Sequence, residues 1–204
     1  MGSQRQARLL VLEGLDGAGT TTQTRLLADA LAARDVRVCS TAEPTDGPLG
    51  LVLRAHVRGE IALDPMTTAL TFTADRADHL ARVIRPALER GEWVVSDRYL
   101  LSTVAYQGAE GVDRAWILDL SAGFAVPDLT FYLDVPPDEL ARRLDSRERS
   151  DRYEGRELTQ ALRRSYDESI AQMRGRGHPI EVVDGSQMPA DVLKDLLSRL
   201  DALL

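Results

Sequence analysis

The sequence predicts an α/β fold, a three-layer sandwich with helices covering both faces of a five-stranded parallel sheet. Three observations carry that expectation. Short apolar runs alternate with longer amphipathic ones. Charged residues gather where the first three apolar runs end. A Gly-rich turn joins the first apolar run to the first amphipathic one, in the strand, turn, helix order that a phosphate-binding loop requires.

Leu9-Leu10-Val11-Leu12 is the first strand and Glu13 to Gln23 holds the turn. The first helix is expected from about Thr21 to Arg34, and Val36-Arg37-Val38-Cys39 alternates as a second strand. From Thr41 to Gly50 the density of Pro and Gly marks a loop at that strand's C-terminal end, where open α/β sheets bind ligands. Helical spacing resumes at Leu51 to Val57 and from Pro65 to Leu88, with Pro86 placed to kink the last turn and Gly91 to end it. Trp93-Val94-Val95-Ser96 reads as a strand buried on both faces. A helix from about Asp113 to Ala122 precedes the fourth strand, Leu129 to Val135, which Pro136-Pro137 stops. Helix from Asp138 to Leu144, a charged stretch from Asp145 to Arg156 and a long helix to about Arg174 follow. Ile180 to Asp184 is the fifth strand and Ala190 to Leu204 the closing helix. Met1 to Gln4 reads as a disordered start.

With 204 residues, 44% of them hydrophobic, the chain suits one domain with a substantial core. A net charge of −7 argues against non-specific nucleic-acid binding, which draws on cationic groups neutralising phosphates. Of 25 cationic side chains only Lys194 is a lysine, so any phosphate chemistry must rely on arginine. The single Cys39 excludes an intramolecular disulfide framework, and no run of about 18 apolar residues suggests a membrane span. A cytoplasmic enzyme is the expectation.

Gly14 and Gly19 stand at the spacing of G-x-x-x-x-G-K-[ST], with Thr21 in the Ser/Thr place and Thr20 in the lysine place. Backbone N–H groups and a helix N-terminus still serve an anion there, but a mobile cation is lost. Asp16, Glu43, Asp97 and Arg98 follow the first three strands and share one edge of a parallel sheet. Mg²⁺ prefers oxygen ligands and keeps waters, so Thr21 with Asp97 would suffice beside nucleotide phosphates. The alternative for Asp97 is a helix cap or a pair with Arg98. Five arginines between Arg142 and Arg152 read as a lid closing over phosphates in preference to a solvated surface. Phe72 is either core or a stacking face, with Arg76 one turn on. His56, His79 and His178 share no metal-like spacing, so no zinc site is expected.

In order along the chain, Glu13-Gly14-Leu15-Asp16-Gly17-Ala18-Gly19, Glu43-Pro44, Phe72-Thr73-Ala74-Asp75-Arg76, Asp97-Arg98-Tyr99, Ser102 to Gly108, Pro127-Asp128-Leu129-Thr130 and Asp151-Arg152 resemble the thymidylate kinases. The likeness runs from about Arg8 to the C-terminus. It implies a P-loop NTPase-like fold and transfer of the γ-phosphate of ATP to dTMP, giving dTDP for dTTP synthesis, with Mg²⁺. It implies ATP binding by Gly14, Leu15, Asp16, Gly17, Ala18, Gly19, Thr20, Thr21 and Thr22. For dTMP, it implies stacking on Phe72, with Arg76, Thr103 and Gln107 near the polar edge of the base and Tyr106 beside the deoxyribose. Arg54 and Arg98 would hold the phosphate, with Glu43 in the same site. The implied catalytic set is Asp16, Arg98, Arg147, Arg149 and Arg152, the last three in a lid at about residues 145–156, the arrangement of the bacterial type. A homodimer is implied as well. Ala42 and Thr20 depart from the family's usual arginine and lysine. Two alternatives stay open: a non-catalytic nucleotide-binding homologue impaired at Thr20, and a kinase for another deoxynucleoside monophosphate.

Overall fold

The structure is a computed structural model that describes residues 6–145 and 156–201. Five parallel strands form one sheet in the order β2-β3-β1-β4-β5: β1 Leu9–Gly14, β2 Val38–Ala42, β3 Trp93–Asp97, β4 Leu129–Asp134 and β5 Ile180–Asp184. The three inner strands are buried almost throughout, as a sheet covered on both faces requires. Their side chains, Leu10, Val11, Leu12, Val94, Val95 and Phe131 among them, form the centre of the hydrophobic core.

Right-handed crossovers decide which helix covers which face. The chain moves one way from β1 to β2 through α1 (Thr20–Ala32) and the other way in every later crossover. α1 therefore covers one face alone among the crossover helices, and the closing helix α9 (Pro189–Leu200) packs against it there. On the other face α5 (Leu100–Ala109) packs against α8 (Arg156–Gly175), α6 (Arg114–Leu120) and α3 (Pro65–His79). α2 (Pro48–Val57) lies on α3, and α7 (Pro137–Asp145) on α8.

Beyond small shifts at element ends, four features differ from the sequence expectation, each for a local reason. β2 starts at Val38 because Asp35 turns the chain in the left-handed region (φ 61°) and Val36 N–H donates to Leu31 O; Val36 is a buried turn anchor. α2 begins at Pro48, inside the expected loop, since proline suits the first helical turn where its missing N–H has no partner to lose. The helix expected from Pro65 to Leu88 is broken into α3, a π-helical turn Leu80–Ile84 and α4 (Arg85–Glu89). Pro86 has no N–H for the Arg82 carbonyl and its ring crowds it, so the turn before it widens. α5 was not anticipated at all: Ser102, Thr103 and Gln107 are polar yet buried, which hid its amphipathic pattern.

The expected start Met1–Gln4 and the end of the closing helix, 202–204, lie outside the described residues. Among the described residues no helix is long and apolar enough to cross a membrane.

Candidate active site

The C-terminal edge of β1, β3 and β2 builds the site. Register pairs Leu12 and Ala42 with Asp97, so the loops leaving these strands meet. After β1 the chain turns through Gly17 and Gly19, both with positive φ, and Ala18 N–H donates to Leu15 O at 2.9 Å. At Gly14 a Cβ would come within 2.8 Å of the Ala18 methyl, so only glycine lets the loop fold back on the strand. Gly19 is the N-cap of α1 and offers no side-chain cap, which leaves the first N–H groups of α1 to an anion. Leu15 and Ala18 are core, Asp16 is exposed and Thr22 half-buried. Thr20 is buried, with its methyl group against the space that Gly14 leaves open. It brings no cation to the loop.

Thr21 Oγ1 donates to Asp97 Oδ2 at 2.5 Å, and the other oxygen, Oδ1, is buried without a partner. A cavity of about 550 Å³ opens here, lined by Thr21, Asp97, Arg54, Thr45 and Asp46 among others. No cluster of three or more His, Cys, Asp or Glu side chains arranged for a metal occurs among the described residues. A hydroxyl and a half-satisfied carboxylate nonetheless fit a cation that keeps most of its waters, as Mg²⁺ does.

Arg98 follows directly, held in the left-handed region (φ 69°) by Arg98 N–H donating to Leu12 O and Ser96 Oγ donating to Arg98 O, both 2.8 Å. That turn aims the side chain across the phosphate loop. Its Nη2 pairs with Asp16, its Nη1 donates to Ser102 Oγ at 3.1 Å and Tyr166 OH at 3.4 Å, and its guanidinium lies 5.6 Å from the Tyr106 ring centroid. Beneath it Glu13 is fully buried, accepting from Tyr99 N–H at 2.9 Å and from both the N–H and the hydroxyl of Ser102. Burial pushes the Glu13 carboxyl above its ordinary value, opposed by the Ser102 hydrogen bonds and by Arg98.

On the α3 and α5 side, Arg76 has no exposed surface. Its Nε donates to Glu43 Oε2 at 2.9 Å, and its Nη2, which pairs with the same oxygen at 2.8 Å, donates to Tyr99 O at 3.0 Å and Thr103 Oγ1 at 2.8 Å. Its Nη1 is buried without a partner, and so is Oε1 of Gln107, whose amide nitrogen donates to Glu110. Phe72 is half-buried one turn before Arg76. Arg54 braces the loop after β2, donating to Pro44 O at 2.8 Å and pairing with Asp46 at 2.9 Å. Arg147, Arg149 and Arg152 lie outside the described residues.

Sequence reasoning missed two contributors. Arg143 was grouped with the lid, yet from α7 its guanidinium reaches Gly17 O at 3.5 Å and Ser186 O at 3.2 Å, tying the phosphate loop to the turn after β5. Tyr166 donates to Gly14 O at 3.2 Å and lies 3.1 Å from Ser102 Oγ. Its only sequence signal is an aromatic on the apolar face of α8, which reads as core.

A parallel sheet with this loop between β1 and α1 defines a P-loop nucleotide-binding fold. The thymidylate kinase family model matches residues 12–195. A "Probable thymidylate kinase" of Caldivirga maquilingensis is 37% identical over 191 residues, covering 93% of this chain and 91% of that protein. Another, from Pyrobaculum calidifontis, is 38% identical over 193 residues, covering 94% and 95%. A "Thymidylate kinase" of Prochlorococcus marinus is 45% identical over 160 residues, covering 72% and 73%. The chain belongs to the thymidylate kinase family.

Proposed function

We propose that this protein transfers the γ-phosphate of ATP to dTMP, giving dTDP for dTTP synthesis. The observation that carries this reading is a pair of unsatisfied buried atoms: Arg76 Nη1, which can only donate, and Gln107 Oε1, which can only accept, one turn beyond the Thr103 that Arg76 reaches. Such atoms are costly unless a ligand completes them. The edge of thymine offers a carbonyl oxygen beside an N–H, the complement of that pair. Cytosine presents an amino group beside a bare ring nitrogen, the reverse.

The rest of the site supports phosphoryl transfer, which asks a protein chiefly for alignment and charge neutralisation. The loop N–H groups and the start of α1 hold the ATP phosphates. Arg54 and Arg98 take the dTMP phosphate, Asp16 sets Arg98 before the substrate arrives, and Tyr106 lies beside the deoxyribose. Arg147, Arg149 and Arg152 supply cations in place of the loop lysine. Thr21 and Asp97 would hold Mg²⁺, whose charge, when bound, is shared with the ATP oxygens. The chain acts as one domain, as a homodimer, in the cytoplasm.

The test is a coupled assay of the purified protein with ATP, Mg²⁺ and dTMP, dUMP or dCMP in turn. Formation of dTDP with a preference for dTMP over dCMP is expected. Absence of dTDP, or preference for dCMP, refutes the reading.

A further inference from the structure

We infer that His79 is a positioning residue for recognition of the base: through Glu43 it holds Arg76 in the orientation that presents Nη1. The inference rests on the dTMP reading above. Glu43 divides its two oxygens. Oε2 takes Arg76, at 2.9 Å from Nε and 2.8 Å from Nη2, while Oε1 lies 2.9 Å from His79 Nδ1. A carboxylate oxygen can only accept, so Nδ1 carries the proton and donates. The other nitrogen, Nε2, shares a hydrogen bond with the Thr41 hydroxyl, 2.7 Å away. The relay thus runs from Thr41 on the edge strand through His79 and Glu43 to Arg76, and the side chains of the last three are at most 2% exposed.

The geometry assigns His79 more than filling. Arg76 and His79 are one turn apart on α3 and grip opposite ends of one carboxylate that comes from the loop after β2. With both oxygens occupied Glu43 has a single orientation, and the guanidinium paired to it has one as well. Without His79, Oε1 loses the partner it has in this structure, and the carboxylate is free to turn until both oxygens meet the guanidinium. A carboxylate gripping Arg76 through both oxygens rotates the fork and withdraws Nη1 from its place beside the base. Specificity suffers more than affinity, because the donor that separates a carbonyl from an amino group is the one displaced.

The test is calorimetric binding of dTMP, dCMP and ATP to the full chain, which requires no turnover. The proteins are wild type, His79→Ala, His79→Asn and His79→Gln. Asparagine places an amide N–H where Nδ1 stands, and glutamine reaches the Nε2 position instead. Expected are a loss of dTMP affinity on the order of tenfold in His79→Ala, a narrowed dTMP-to-dCMP ratio, and unchanged ATP affinity. His79→Asn restores most of the ratio and His79→Gln does not. If His79→Ala does not fold, the Asn and Gln variants decide alone. Wild-type binding of dTMP with the ratio unchanged in the variants overturns this inference alone, and so does equal loss in Asn and Gln, which is what filling a hole would give. A wild type that binds no dTMP overturns the substrate reading as well.

Discussion

At Thr20 a methyl group packs where the loop motif calls for a long cationic side chain, and the position is otherwise ready for one: it opens α1 and directly follows the left-handed Gly19. Thr20→Lys is expected to raise turnover about 10²-fold, the usual worth of one preorganised donor on developing charge, and to leave dTMP affinity unchanged. Steady-state kinetics beside dTMP calorimetry check it. Glu13 calls for a different measurement. Its carboxyl is raised in the folded protein, so above about pH 4.5, the ordinary glutamate value, the unfolded chain releases its proton first. The native state then binds more protons, and stability from this group, fully present at lower pH, is lost as pH rises through the raised value. Denaturant unfolding across that range should show the wild type losing stability relative to Glu13→Gln as pH increases. A constant difference would mean that Glu13 ionises normally. Phe72→Ala should weaken dTMP binding by about 1–3 kcal/mol, the worth of stacking one base on an aromatic ring, with ATP binding intact.

Among the elements, the short α2 shows how a helix can depend on one atom. At Gly50 a Cβ would lie 2.0 Å from the Thr45 carbonyl oxygen and 2.7 Å from its nitrogen, which are backbone atoms of the loop that carries Glu43 and Pro44. Gly50→Ala should therefore push that loop away, at a cost of about 1–3 kcal/mol in urea unfolding, and weaken dTMP binding as well. Wild-type stability in this variant would mean the loop yields freely. Neither the reach of α2 back to Pro48 nor the π-helical turn before Pro86 was visible in hydrophobic spacing, although the prolines that cause both were. α5 escaped for the opposite reason. Its Ser102 and Thr103 hydrogen-bond Glu13 and Arg76, and Gln107 Oε1 is buried beside them without a partner in the protein, so its inner face is polar.

For the whole molecule, the proposed homodimer is supported by apolar side chains that α2 and α3 leave exposed: Leu51 at 57%, Leu70 at 45%, Met66 at 44% and Val52 at 40%. α2 and α3 pack on each other, so these belong to one pair of helices. Sedimentation should give a dimer for the wild type and a monomer for the double variant Leu51→Glu with Leu70→Glu; an unchanged mass would place any interface elsewhere. By itself the sequence determined the five strands, their alternation with helices and the phosphate loop, because burial period and glycine spacing are local properties of the chain. It also carried the list of base-site and phosphate-site candidates, as ordered short motifs. Only the tertiary structure decided which of them meet. Glu43 reaches Arg76 across 33 residues, Glu13 reaches Ser102 across 89 and Tyr166 reaches Gly14 across 152. Such pairings depend on strand register and on where each helix lies over the sheet, and neither is written in the spacing of any one segment.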